Sequence, residues 1–262
     1  MSQIPSVLIT GASTGIGATY AERLARRGHD LVLVARDAVR MEALASRLRQ
    51  ETGVTIDILP ADLTQATDLA KVETRLRDDA RIGILLNNAG TAIGKSFVEQ
   101  SVEDMTKLVA LNATALVRLS GAIAPRIAKA GEGAIVNIGS VVGLAPEYGM
   151  TVYGATKAFV LFLSQGLAQE LGPKGVYVQA VLPATTRTEI WDHVGADVNT
   201  LNNVMEVSDL VDAALVGFDR RELVTIPPLP DGRQWDVFDL ARKTMMANFG
   251  NALPGERYRK PA

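Results

Sequence analysis

A tyrosine and a lysine four residues apart are the residue types in this sequence most suited to proton transfer. Tyr153 and Lys157 share a face, about one turn from each other, if their segment is helical. A phenol has an ordinary pKa of about 10, and a nearby ammonium group lowers that pKa by favouring the phenolate. Such a tyrosine could exchange a proton with a carbonyl or alcohol oxygen. The alternative is an amphipathic helix with a half-buried tyrosine and a solvated lysine.

A glycine-rich turn between the first predicted strand and the first predicted helix supplies a second chemical signal. It runs from Thr10 to Gly17. Glycines allow a tight turn and a close backbone approach to a pyrophosphate, while the helix N-terminus offers free N–H groups. The spacing is G-x3-G-x-G rather than the usual G-x-G-x-x-G, and a purely structural turn is the alternative. The cofactor-binding residues predicted here are Gly11, Ser13, Thr14, Gly15, Ile16 and Gly17.

The end of the second predicted strand bears on which dinucleotide would bind. Dinucleotide sites usually place Asp or Glu there for the ribose 2′-hydroxyl, whereas an arginine suits a 2′-phosphate. Ala35 stands at the position expected for the acid, and Arg36 follows it. Because a guanidinium matches a phosphate and gains little from a neutral hydroxyl, the sequence favours NADP(H). The alternative is a solvated Arg36, followed by Asp37 as the cap of the next helix.

Several segments, taken together and in this order, resemble the short-chain dehydrogenase/reductase (SDR) family. They are Thr10-Gly11-x3-Gly15-Ile16-Gly17, Asn87-Asn88-Ala89-Gly90, Asn112, Ser140 and Tyr153-Gly154-Ala155-Thr156-Lys157, and the resemblance covers roughly Ser6 to Thr188. Each motif is common by chance, but their joint order and intervals are specific. The resemblance implies a Rossmann fold and an NADP(H)-dependent oxidoreductase that interconverts a carbonyl and an alcohol, with Tyr153 as general acid/base.

The resemblance implies four catalytic residues: Asn112, Ser140, Tyr153 and Lys157. Ser140, with twelve residues between it and Tyr153, would orient and polarise the substrate. Lys157 would also contact the nicotinamide ribose, so Tyr153 and Lys157 are cofactor-binding candidates as well. Asn112 would hold a water that links Lys157 to solvent. A plain polar core residue is the alternative for this mid-helix asparagine.

The resemblance also implies cofactor contacts at the ends of later strands. Asp62 matches the position that contacts the adenine ring, with a helix N-cap as the alternative. After the sixth strand the family usually has Pro-Gly, whereas Ala184 follows Pro183 here, and a position of positive φ would strain an alanine. The further cofactor-binding predictions are Asp62, Leu63, Asn88, Ala89, Gly90, Pro183 and Thr188.

Alternating strand and helix patterns predict the elements that position these residues. Nearly continuous apolar strands indicate burial on both faces, and strand–helix–strand repetition implies right-handed crossovers. We therefore predict a single α/β domain over residues 1–262, a doubly wound parallel seven-stranded sheet with ligands at the C-terminal strand ends. The predicted strands are Val7–Thr10, Leu31–Ala35, Val54–Leu59, Ile84–Asn87, Ala134–Ile138, Val176–Leu182 and Leu223–Ile226. The predicted helices are Gly15–Arg27, Ala38–Glu51, Gln65–Asp79, Val102–Ala130, Tyr153–Leu171 and Ser208–Phe218.

Composition excludes several classes of function. The chain has 262 residues, a formal charge of -2 and no cysteine. The absence of cysteine excludes disulfides, thiolate nucleophiles and cysteine zinc sites, and it fits a reducing compartment. The net charge gives no electrostatic case for binding nucleic acid. No cluster has metal-ligand spacing, and no apolar run approaches the length needed to cross a bilayer. Residues Met1–Thr10 do not resemble a signal peptide, so we expect a cytoplasmic protein without a metal.

Three further segments bear on substrate and partners. Residues 189–206 should form a lid over the substrate, and we call them the lid throughout. Its apolar residues suggest an uncharged, largely apolar ketone or aldehyde, with mere packing of the lid as the alternative; they are Ile190, Trp191, Val194, Val198, Leu201, Val204 and Met205.

Residues 227–262 should be an irregular tail, packed on the domain or a neighbouring subunit, or disordered. Excess apolar residues on Val102–Ala130 and Tyr153–Leu171 match helices that pair in SDR homodimers and homotetramers.

Two competing functions remain open at the level of sequence. The same residues would serve alcohol oxidation with NADP⁺, although a 2′-phosphate site favours reduction. A nucleotide sensor without turnover could use the same fold. The complete Ser140, Tyr153 and Lys157 set argues against the sensor, which has no need of an acid beside a hydride donor.

Overall fold

Seven parallel strands form one sheet in the computed structural model, which describes residues 4–259. The strands are β1 (Ser6–Thr10), β2 (Leu31–Ala35), β3 (Ile56–Pro60), β4 (Ile82–Asn87), β5 (Ala134–Ile138), β6 (Tyr177–Val181) and β7 (Val224–Thr225). Their order is β3-β2-β1-β4-β5-β6-β7, and every neighbouring pair is parallel. The strand order reverses between β1 and β4, which is where doubly wound sheets bind ligands. The predicted fold class is confirmed.

Nine α-helices within residues 4–259 connect and follow the strands. They are α1 (Gly15–Arg26), α2 (Ala38–Thr52), α3 (Ala66–Asp78), α4 (Val102–Val109), α5 (Leu116–Ala130), α6 (Thr151–Leu171), α7 (Ile190–Val194), α8 (Val207–Asp219) and α9 (Arg233–Met245). The six predicted helices all occur, with ends within a few residues of the predicted ones. The predicted β7 was longer than the two-residue strand observed.

The core lies on both faces of the sheet. Successive side chains of a strand point to opposite faces, so Val7 and Ile9 join one buried cluster while Leu8 joins the other. The first cluster includes residues of α1, α2 and α8, and the second includes residues of α3 and α5. Burial on both faces is why the strands are almost continuously apolar.

The stretch predicted as one helix from Val102 to Ala130 contains a π-helical turn at Ala110–Ala115, between α4 and α5. π-turns inside α-helices frequently mark functional sites, and this one holds the buried Asn112. By length and composition alone the whole stretch could cross a membrane, so our expectation about apolar runs is wrong for it. Half of its most apolar window is buried inside the structure, which is the pattern of a helix that packs on a core sheet.

The chain divides into two compact units, Met1–Pro227 and Pro228–Ala262. The predicted tail therefore begins at the observed boundary, but the expectation that it is irregular is wrong. It contains the 13-residue helix α9, in which Trp235 and Phe238 pack with ring centroids 5.5 Å apart. Trp235 and Phe238 are three residues apart and therefore share one face of this helix. The residues Met1–Gln3 of the expected non-signal segment, and the last three of the tail, lie outside the described residues.

Candidate active site

The glycine-rich turn is shaped by close backbone approaches. Gly11 and Gly15 have φ of +65° and +53°, which side-chain-bearing residues rarely adopt. A Cβ on Gly17 would overlap the carbonyl oxygen of Gly11 and lie 2.6 Å from the Asn88 side-chain nitrogen. Thr14, at the N-cap of α1, makes no side-chain hydrogen bond to the first helical turn. The turn therefore presents an uncapped helix N-terminus, as an anionic pyrophosphate requires.

The ends of β1 and β4 are tied together beside this turn. The hydroxyl of Thr10 accepts hydrogen bonds from the backbone N–H groups of Asn88 (2.9 Å) and Ala89 (3.0 Å). The Asn88 side chain donates to the carbonyls of Thr10 (2.9 Å) and Gly11 (3.1 Å). Asn88 and Ala89 thus hold the glycine-rich turn in place, and the structural role of Thr10 was not predicted although it opens the motif.

Arg36 lies exposed at the end of β2, directly after the last strand residue Ala35. Asp37 caps α2 by accepting a hydrogen bond from the backbone N–H of Arg40 at 2.9 Å. The capping role that the sequence offered as an alternative for Asp37 is therefore correct. Arg40 also donates to both carboxylate oxygens of Glu189 at 2.8 Å. Within residues 4–259 Arg36 forms no side-chain hydrogen bond or ion pair, which leaves its guanidinium available to a phosphate.

The segment after β3 holds Asp62, the predicted adenine contact, in a tight turn. Asp62 accepts hydrogen bonds from the Thr64 backbone N–H at 2.9 Å and the Thr64 hydroxyl at 2.7 Å. Leu63 is buried beside it. The N-cap of α3 is Gln65, so Asp62 does not take the N-cap role that was its alternative.

Ser140, Tyr153 and Lys157 converge beyond the C-terminal end of β5. Lys157 is buried and its Nζ donates to the carbonyl of Ile138, the last residue of β5, at 2.9 Å. The same Nζ lies 5.6 Å from the centroid of the Tyr153 ring. The Ser140 hydroxyl makes long hydrogen bonds, to the Pro183 carbonyl (3.3 Å) and from the Val142 N–H (3.2 Å). Long bonds leave this hydroxyl able to turn toward a carbonyl oxygen.

Burial shifts the pKa values of Tyr153 and Lys157 in opposite directions. Burial raises the pKa of Tyr153, and the adjacent Ser140 hydroxyl opposes this less strongly. Burial also lowers the pKa of Lys157 to about 8, because the charged ammonium loses its water. The net direction for Tyr153 is therefore opposite to the lowering that we predicted from a nearby ammonium group, because burial is the largest influence on its pKa.

Asn112 fixes the loop that follows β4. Its side-chain nitrogen donates to the Thr91 carbonyl (2.9 Å) and to the Thr156 hydroxyl (3.2 Å), while its side-chain oxygen accepts from the Thr91 N–H (3.0 Å). A Cβ on Gly90 would lie 3.3 Å from the Asn112 oxygen and 3.6 Å from the Lys157 Nζ. Sequence reasoning missed Thr91 and Thr156, although Thr156 lies inside the Tyr153–Lys157 motif and Thr91 directly follows Gly90.

The segment after β6 borders both ends of the site. The Pro183 carbonyl accepts from Ser140, and Thr188 Cγ2 would lie 3.3 Å from a Cβ on Gly15 in the glycine-rich turn. Ala184 is unstrained, because the positive-φ non-glycine residues among those described are Asn203 and Arg221. Ala184, which stands where the family usually has glycine, therefore causes no backbone strain.

The lid forms a closed loop at its base. Thr186 and Met205 pair as an isolated bridge, and Arg187 binds Glu206 at 2.8 Å. The Trp191 indole N–H donates to the Thr186 carbonyl at 2.8 Å. All seven apolar lid residues named from the sequence are half-buried, a state between packed core and free surface. In the described part of the chain, no group of three or more His, Asp or Glu residues has a metal-binding arrangement.

Known proteins resemble this chain in sequence and structure. Residues 5–199 match the short chain dehydrogenase family. A short-chain dehydrogenase from Sphingobium yanoikuyae in complex with NADPH is 67% identical, with a TM-score of 0.96 over 98% of this chain and 100% of its own. The bulky-bulky ketone specific alcohol dehydrogenase from Comamonas testosteroni is 62% identical, with a TM-score of 0.92 over 99% and 100%.

Curated relatives are more distant. The very-long-chain 3-oxoacyl-CoA reductase-A of Danio rerio is 32% identical over 80% of this chain and 71% of its own length. Further curated relatives are matched over 60% of their length.

The fold and the site define a dinucleotide-dependent oxidoreductase class, and the family match makes the assignment specific. The chain belongs to the short-chain dehydrogenase/reductase family. The predicted family, fold class and oxidoreductase activity are confirmed. The NADPH of the Sphingobium structure agrees with the predicted NADP(H), and nothing in these comparisons supports a sensor without turnover.

Proposed function

We propose that this enzyme is an NADPH-dependent reductase of uncharged, largely apolar ketones or aldehydes, acting in the cytoplasm as a homodimer or homotetramer. The observation that carries the proposal is the convergence of Ser140, Tyr153 and buried Lys157 at the end of β5. The absence of cysteine is consistent with a reducing compartment.

The residues fit a dinucleotide phosphate. The tight glycine turn admits no side chain at Gly17, and the exposed Arg36 offers a guanidinium beyond β2. A guanidinium binds a 2′-phosphate in bidentate fashion and discriminates against a bare hydroxyl. The residues that would hold the cofactor are Gly11, Ser13, Thr14, Gly15, Ile16, Gly17, Arg36, Asp62, Leu63, Asn88, Ala89, Gly90, Tyr153, Lys157, Pro183 and Thr188.

Proton transfer belongs to the residues of this chain. The reduced nicotinamide, when bound, supplies a hydride to the carbonyl carbon. Ser140 donates a hydrogen bond to the carbonyl oxygen, and Tyr153 gives that oxygen its proton, which yields the alcohol and a phenolate. The raised pKa keeps Tyr153 protonated at neutral pH, as a donor for reduction must be.

Lys157 would return a proton to the Tyr153 phenolate. Lys157 stabilises the phenolate by its charge, and a buried ammonium with a pKa of about 8 can release a proton near neutral pH. Asn112 would hold the water that reconnects Lys157 with solvent. Asn112 lies close enough to Lys157 for this role, because its side-chain oxygen and the Lys157 Nζ both lie beside Gly90.

Apolar surfaces support the substrate class and the oligomer. The half-buried lid residues would gain further burial against an apolar substrate, which is favourable in proportion to the apolar area covered. Phe159 and Phe162 of α6 remain exposed, as do Val102, Val109 and Val117 of α4 and α5. Exposed apolar patches of this kind mark interaction surfaces.

The test is turnover by the purified protein with NADPH or NADH and a panel of ketones and aldehydes, followed by loss of reduced-nicotinamide absorbance. NADPH should support turnover and NADH much less. Tyr153→Phe should lower kcat by at least about 100-fold while NADPH still binds, because the proton donor is removed without a change in shape. Tight NADPH binding without turnover across the panel would contradict the proposal.

The same assay tests the cofactor assignment. Arg36→Ala should weaken NADPH binding by about tenfold or more and leave NADH binding unchanged, because the charge-assisted hydrogen bonds to the 2′-phosphate can no longer form. Arg220→Ala, which removes an exposed arginine at the end of α8, is the matched control. Equal effects of Arg36→Ala on both cofactors would contradict binding of a 2′-phosphate by this residue.

A further inference from the structure

The C-terminal end of the lid helix lies against a glycine of the loop after β4. A Cβ on Gly94 would overlap the carbonyl oxygen of Val194, the last residue of α7, and lie 2.5 Å from its Cγ1. Gly94 does not have a positive φ, so the backbone conformation itself would accept a side chain. What requires glycine here is the close approach of the lid.

This loop is fixed to the residues of the active site. Three residues before Gly94, both backbone polar groups of Thr91 are bonded to the buried Asn112 side chain. Asn112 in turn donates to Thr156, the residue before Lys157. The surface against which α7 rests is therefore held at a set distance from the proton-transfer residues.

The lid is also attached through side chains: the Trp191 indole N–H donates to the Thr186 carbonyl, and Arg187 donates to the Asn199 side chain at 2.7 Å. Arg187 and Glu206 join its base, and Glu189 pairs with Arg40 of α2. These exposed ion pairs are weak and flexible. The backbone contact at Gly94 is rigid by comparison, because a carbonyl oxygen cannot turn away as a long side chain can.

We propose that Gly94 is a positioning residue that determines substrate specificity: its lack of a side chain sets how far the lid closes over Ser140 and Tyr153. The inference rests on the proposed function, since it assigns the lid to the substrate pocket. A methyl group at residue 94 would push the end of α7 outward by about 1 Å, to reach an ordinary carbon–oxygen separation. A raised lid gives a deeper pocket that packs less closely on small substrates.

The experiment compares wild type, Gly94→Ala and Gly172→Ala with a small methyl ketone and a ketone carrying two bulky groups. Gly172 is exposed at the end of α6, with φ of -55° and no atom within 4 Å of an added Cβ, so it controls for the substitution itself. Gly94→Ala should raise the bulky-to-small ratio of kcat/KM about tenfold, mainly through a higher KM for the methyl ketone. Gly172→Ala should leave the ratio unchanged.

A second readout does not depend on turnover. Backbone amide exchange in Ile190–Val194 should accelerate in Gly94→Ala with NADPH present, while exchange in β5 and the Kd for NADPH stay within about threefold of wild type, since only local opening changes. If the wild type turns nothing over, the proposed function fails, yet this exchange difference still tests the packing of the lid on Gly94. An unchanged ketone ratio in a folded Gly94→Ala overturns the inference.

Val194→Ala covers the case in which Gly94→Ala does not fold. It removes Cγ1, the side-chain atom of Val194 that lies nearest Gly94, and introduces no new overlap, so we expect a folded protein in which α7 packs more loosely on the loop. The ketone ratio should move in the same direction by about twofold or more. A ratio equal to that of the wild type in Val194→Ala overturns the inference.

Discussion

At the scale of single residues, the burial of Lys157 links the chemistry of the site to the pH dependence of stability. Its ammonium has one hydrogen-bond acceptor, the Ile138 carbonyl, among the described residues, and burial lowers its pKa from 10.5 to about 8. A buried charge without a carboxylate partner is costly to the fold. The same burial makes Lys157 able to exchange a proton near neutral pH, so part of the cost is a condition of the proposed mechanism.

This burial predicts a pH dependence of unfolding. The unfolded chain binds a proton at Lys157 up to about pH 10.5, whereas the folded chain releases it near pH 8. The contribution of Lys157 to the free energy of unfolding therefore rises between pH 8 and 10.5, by at most about 3 kcal/mol. Urea unfolding of wild type and Lys157→Met across this range measures it by difference, because the other groups that titrate are common to both. If the free energy of unfolding changed equally with pH in the two proteins, the predicted titration of Lys157 would be contradicted.

At the scale of elements, the lid is held together by Trp191. Its indole N–H bonds to the Thr186 carbonyl, which connects α7 to the start of the lid, while its ring stays half-buried. The residue therefore combines a structural hydrogen bond, which fits packing of the lid, with partly exposed apolar surface, which the proposed substrate pocket would use.

Trp191→Phe and Trp191→Ala separate these two contributions. Trp191→Phe removes the hydrogen bond and keeps an aromatic ring, so we expect the KM for apolar ketones to rise a few-fold, the cost of about 1 kcal/mol for one neutral bond. Trp191→Ala also removes the ring surface and should raise KM by tenfold or more, because about 2 kcal/mol of apolar burial against the substrate is removed. Steady-state kinetics with NADPH in excess measures both. Unchanged KM values for every substrate in Trp191→Ala would exclude a substrate pocket under the lid.

Elements with a simple repeating pattern could be predicted from the sequence, and irregular ones could not. The buried strands β1, β2 and β5 and the motif residues at their ends follow from apolar runs and fixed spacing. The π-turn around Asn112 shares the apolar pattern of the helices on either side, so periodicity carries no signal for it. The contact between Gly94 and Val194 joins segments a hundred residues apart and depends on tertiary packing alone.

At the scale of the whole molecule, the uncovered helical surface is the feature that a single chain leaves unexplained. Phe162 on α6 is 76% exposed and Phe159 is 41% exposed, although both follow the active-site motif on the same helix. Val102 of α4 is 65% exposed, and half of the most apolar window of the α4–α5 stretch lacks burial. Apolar surface this exposed is unfavourable in water, and the proposed homo-oligomer would cover it.

Replacing Phe162 with glutamate tests this surface. A charge placed at the centre of a buried apolar interface is unpaired, so Phe162→Glu should convert the proposed homo-oligomer into monomers or smaller oligomers. Val39→Glu, at an apolar position of α2 that is 81% exposed, introduces the same charge on another face and should keep the wild-type mass. Size-exclusion chromatography with light scattering measures all three proteins. A monomeric wild type would contradict the oligomer, and an unchanged mass for Phe162→Glu would exclude the α6 face as the interface, whatever the activity of the variant.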